Sequence, residues 1–64
     1  MRDKLHRALL SRYEAERDEA LATLEVYYTN PAGIGEHPQV VEEMSKMVEK
    51  IGNAEDCLNV LNKY

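Results

Sequence analysis

Sixty-four residues with 8 Lys and Arg against 12 Asp and Glu, a formal net charge of −4, make at most one small acidic domain. A chain this short buries only about 60% of the surface its unfolded form exposes, so its stability is marginal or shared with a second chain. One cysteine, Cys57, and two histidines, His6 and His37, exclude a disulfide framework and a four-ligand zinc site. The acidic body argues against non-specific duplex binding, which depends on neutralising phosphates. No apolar run approaches the roughly 18 residues of a membrane span, and His6 and Arg7 interrupt Leu5 to Leu10 with no small-residue cleavage site after them. The expectation is a soluble cytoplasmic protein without membrane contact.

The first element is a helix over about 3–29. Leu10, Tyr13, Arg17, Ala20, Leu24 and Tyr27 recur at alternating spacings of three and four, Leu21 and Tyr28 widen the stripe, and Leu5 and Leu9 extend it backward. Gly and Pro are absent before residue 31, several alanines add helix propensity, and Arg12 lies four residues before Glu16. Arg17 occupies a seam position that would prefer Leu. A buried unpaired guanidinium is too costly, so Arg17 either extends along its stem to a solvated margin, the favoured reading, or meets a carboxylate such as Glu14, Glu49 or Glu55. Tyr13, Tyr27 and Tyr28 read as seam or boundary residues with a hydroxyl reaching water, rather than as stacking platforms for bases.

The loop, 30–37, is dense in breakers. Pro31 ends the first helix near Thr29, and Gly33 and Gly35 give freedom on either side of Ile34, the one large apolar side chain there, which is expected to plug the end of the hairpin. His37 falls in the N-cap slot with Pro38 at the first helical position. Gly33-Ile34-Gly35 is not a phosphate loop: no strand precedes it, residue 38 is Pro where the third glycine belongs, and no Gly-Lys-Ser/Thr follows. Turn chemistry accounts for Glu36 and His37 better than a titrating pair does.

Arg12 to Arg17, Leu21 to Tyr27 and the segment Gly33-Ile34-Gly35-Glu36-His37-Pro38, together spanning most of the chain, resemble small uncharacterised helical-hairpin proteins encoded by tailed marine bacteriophages. The resemblance implies a phage origin, hence the cytoplasm of the host, and supplies no catalytic residues to carry over.

The second helix is expected over about 38–62. Val41, Met44, Val48, Ile51 and Leu58 form one row, with Val40, Met47, Ala54 and Leu61 beside it. A hairpin partner needs one row, leaving the other for a second chain, so the expected architecture is an all-α antiparallel two-helix hairpin dimerising into a four-helix bundle crossing at roughly 20°. Glu42, Lys46 and Glu49 read as a solvated charged face. Gly52-Asn53 could break the helix, yet the stripe keeps phase across it and a mid-helix Gly costs only about 1 kcal/mol, so a single helix with a soft point is favoured, with Gly52 free to admit an opposing side chain, such as a tyrosine. Cys57 lies off the seam with no base positioned beside it and is expected to be inert.

The function that fits is a small oligomeric structural or adaptor protein, most simply a homodimer, acting through helix faces. The seam residues expected to carry it are Leu10, Tyr13, Arg17, Leu21, Leu24 and Tyr28 on the first helix and Val41, Met44, Val48, Ile51, Leu58 and Leu61 on the second. An enzyme needs a pocket with convergent groups, and a narrow hairpin offers none. No cofactor is expected, and the Glu-x-x-His pattern of helical di-metal sites is missing. The alternative, a nucleic-acid accessory protein, rests on Arg2, Lys4, Arg7 and Arg12, which a helical projection spreads around the axis.

Overall fold

The computed structural model describes residues 2–29 and 39–64. Helix α1 spans Arg2–Thr29 and helix α2 spans Val40–Lys63, each reaching one residue beyond its expected outer limit. Both are uninterrupted, so Gly52-Asn53 does not break α2. Gln39 stands at the N-cap of α2 without a side-chain capping bond, and its carbonyl accepts the Glu43 amide at 2.9 Å. The expected plug Ile34, cap His37 and helix-opening Pro38 lie outside the described residues. Thr23 and Thr29, β-branched and poor at holding a helix by propensity, return their hydroxyls to the carbonyls of Glu19 and Glu25 four residues back.

The helices pack antiparallel along their length as a hairpin 50 Å long and 14 by 12 Å in section. Arg2 on the first turn of α1 donates to the terminal carbonyl of Tyr64, one groove gathers Leu10 with Leu58, and a second gathers Ala20 with Met47. That register sets Tyr13 level with Ala54, Arg17 with Ile51, Leu24 with Met44 and Tyr27 with Val40.

On α1 the seam is His6, Leu10, Tyr13, Arg17, Ala20, Leu24 and Tyr27; on α2 it is Val40, Met44, Met47, Ile51, Ala54, Leu58 and Leu61. Every one of these is at least half-buried, but only Ala20 and Ala54 are removed from water, at 3% and 0% exposed. Two helices cover each other along one line, so a large side chain in the seam keeps its outer edge wet.

The hairpin does not divide α2 by the two expected rows: its seam takes Val40, Met47, Ala54 and Leu61 of one and Met44, Ile51 and Leu58 of the other, and leaves only Val41 and Val48 open. Val41 and Val48, read from sequence as seam, are 76% and 54% exposed, and Leu21 and Tyr28 on α1 are exposed in the same way. The cause is rotational: each lies one residue past a seam position, about 100° further round its helix.

Candidate interaction faces

The flat hairpin has two broad faces, each built from one flank of both helices. On the first, Glu14 and Arg17 of α1 and Gly52, Glu55, Asn59 and Asn62 of α2 line a groove. Steps of seven residues, which return to nearly the same side of a helix, add Leu21 and Tyr28 to Glu14, and Val48 and Val41 to Glu55. We call this the glycine face. On the opposite side, Glu16, Glu19 and Thr23 line a groove with Lys50 and Asn53. The same steps add Leu9 and Leu5 on α1, and Glu43, Cys57, Val60 and Tyr64 on α2. This is the cysteine face.

Each face is half polar and half apolar. On the glycine face the exposed Leu21, Tyr28, Val41 and Val48 cluster at the end where α1 finishes and α2 begins, Leu21 level with Val48 and Tyr28 with Val41. On the cysteine face the exposed Leu5, Leu9, Val60 and Tyr64 cluster at the other end, where α1 begins and α2 finishes. The two apolar patches are therefore diagonal to each other. Val26 is the one exposed large apolar side chain of the described residues that belongs to neither.

The charged groups do not converge. Arg17 retains a third of its side-chain exposure and donates from Nε to Asp18 at 3.1 Å. Its partner is thus the next residue in the chain, neither Glu14, Glu49 nor Glu55, and the solvated-margin reading describes it. Arg12 pairs with Glu16 at 3.7 Å. Lys46, on the charged face it shares with Glu42 and Glu49, donates to Glu43 at 3.2 Å. The Lys46 ammonium is held above the ordinary lysine range, first by that hydrogen bond and then by the Glu43 charge, with smaller help from Glu42 and Tyr27. Arg2, Lys4, Arg7 and Arg12 share no face: Arg2 is tied to Tyr64 and Arg12 to Glu16.

Among the described residues no group of three or more His, Cys, Asp or Glu side chains is arranged to hold a metal ion. No helix there is long and apolar enough to cross a membrane. Cys57 is a half-buried free thiol at the edge of the cysteine face.

Gly52 carries a signal that sequence reasoning misassigned. A methyl group placed there would meet nothing within 4 Å, so no tyrosine or other side chain of the same chain exploits the missing Cβ. No known protein family, curated protein or solved structure matches this chain.

Proposed function

We propose that this chain is a small self-associating structural or adaptor protein whose working parts are the two apolar helix-face patches, with a four-helix pair of hairpins as its smallest assembly. One observation carries the reading. The chain's exposed large apolar side chains gather in two clusters rather than scattering singly, and clustered apolar surface marks protein contact. Among the described residues no nucleophile and base meet at an enclosed cavity. The reading assigns the protein no cofactor and places it in the cytoplasm.

Sedimentation equilibrium on the full chain tests this. Association in the micromolar range is the expected result. A well-folded monomer at every concentration would remove self-association from the account.

A further inference from the structure

Resting on that self-association, we propose that a second copy seats on the cysteine face: two hairpins meet there about a two-fold axis parallel to their long axes, and their glycine faces turn outward. Charge placement selects this contact. On the cysteine face Arg12 is already paired with Glu16 and Lys46 with Glu43, which leaves Glu19 of α1 and Lys50 of α2 facing each other across the groove. These two are level, opposite in sign and exposed, and among the described residues neither forms an ion pair. The groove of the glycine face carries Glu14 and Glu55, level and of the same sign, and its one cation, Arg17, is turned to Asp18.

A two-fold axis along the hairpin keeps every residue at its own level and lays α1 over the partner's α2. Each neighbour across the groove within one copy is therefore repeated between the copies. Through the cysteine face, Leu5 comes level with the partner's Tyr64 and Leu9 with the partner's Val60, so the apolar patch of each copy covers the other. Further along, Arg12 lies level with the partner's Cys57, Glu16 with the partner's Asn53 and Glu19 with the partner's Lys50. Glu19 and Lys50 of the two copies then form a square of alternating sign. The same operation through the glycine face covers Leu21 and Tyr28 with the partner's Val48 and Val41, but it closes Glu14 and Glu55 of both copies into a square of carboxylates.

Reversing one copy end for end does worse. With like faces fully overlapped it lays the apolar half on the polar half, because each patch occupies one end of its face. Glycine face on cysteine face has to be reversed to bring the patches together, and that sets Glu55 beside the partner's Glu19. Area agrees with a second copy as the occupant: a face of a 50 by 14 Å hairpin is comparable with the roughly 800 Å² per partner of a standard interface.

Charge reversal followed by mixing tests the contact. Lys50→Glu makes the square all acidic and Glu19→Lys makes it all basic; both positions are exposed, and far-UV circular dichroism checks that each variant retains its helices. Sedimentation equilibrium is expected to show each variant dimerising about tenfold more weakly than wild type, as the level pairs between the copies turn from attraction to repulsion. An equimolar mixture of the two is expected to regain the wild-type affinity as a mixed dimer, because every acid of one variant then lies over a base of the other. Rescue on mixing arises between chains, so a change within one hairpin does not produce it. Glu14→Lys makes the same change of net charge on the glycine face and is expected to leave the affinity close to that of wild type. Tighter association of Glu14→Lys with no loss in Glu19→Lys assigns the contact to the glycine face and overturns the proposal. A mixture that associates no more tightly than its components also overturns it. A wild type that stays monomeric at every concentration overturns the reading beneath it.

Discussion

Ala20 on α1 lies level with Met47 on α2, and two helical turns away, past the Arg17 and Ile51 layer, the relationship is reversed, with Tyr13 of α1 level with Ala54 of α2. Small faces large in both layers, and the side is exchanged between them. Helices with large side chains on both sides of a layer are held apart. Here each alanine lets the opposite helix come in and is itself fully covered, while the Tyr13 and Met47 side chains span the gap and keep an edge in water.

Ala54 therefore has no room to grow. Ala54→Leu adds three heavy atoms at a position 0% exposed, opposite a tyrosine. The expected loss is about 1 to 3 kcal/mol, from displaced neighbours and off-rotamer packing. A urea titration that moves the midpoint down without changing the slope would match a native-state effect of this kind. An unchanged midpoint would show that the two helices separate freely at this layer.

Gly52 behaves in the opposite way. It sits in the interior of α2 with open space over it, so a methyl group meets nothing, and an α-helical backbone suits Ala better than Gly. Gly52→Ala is expected to stabilise the hairpin by about 0.5 to 1 kcal/mol, chiefly by lowering the entropy of the unfolded chain. Thermal unfolding followed by circular dichroism at low concentration reads this as a higher midpoint. A lower midpoint would mean that something covers Gly52 in the dilute protein.

Much of the architecture is legible in the sequence because breakers and periodicity agree. Pro31 and the glycines after it separate two stretches whose apolar residues recur at three and four, and both stretches are helices. What the pattern did not settle is which row of α2 the hairpin uses, since Val40 and Val41, and Met47 and Val48, are apolar neighbours on the two candidate rows. The answer lies further along: steps of seven from Val40 and Met47 reach Ala54 and Leu61, whereas steps from Val41 and Val48 reach Glu55 and Asn62. Burying the line of Val41 and Val48 would take Glu55 out of water, so the line of Val40, Met47, Ala54 and Leu61 enters the seam, with Met44, Ile51 and Leu58 beside it. The same logic separates Ala20, followed back to Tyr13 and His6, from Leu21, followed back to Glu14 and Arg7. The partners of Arg17 and Lys46 were not legible, because several carboxylates lie within reach of each flexible side chain and rotamers choose among them.

The division into seam and open row predicts unequal costs for similar truncations. Leu24→Ala removes a half-buried seam side chain level with Met44 and is expected to cost about 1 to 3 kcal/mol, less than a fully enclosed leucine because its outer edge is already wet. Val41→Ala, at a site 76% exposed, should stay within about 0.5 kcal/mol of wild type at a concentration where the chain is monomeric. Chemical denaturation of the two variants side by side measures the contrast. Equal losses would mean that Val41 is covered in the monomer.

The raised Lys46 ammonium fixes a sign for the response to alkali. The group binds its proton more tightly in the folded chain, where Glu43 accepts its hydrogen bond, than in the unfolded chain. Its contribution is therefore fully present below the ordinary lysine pKa, about 10.4, and is lost as pH rises through the raised folded value. Both side chains are well exposed, so the pair is screened and its effect is small. Lys46→Met should unfold at a slightly lower temperature than wild type near neutrality, and the gap should close on the alkaline side of the lysine range and in high salt. Melting curves at matched pH and ionic strength check both arms. A gap that persists unchanged above the lysine range would locate the effect in the packing of the Lys46 stem instead of its charge.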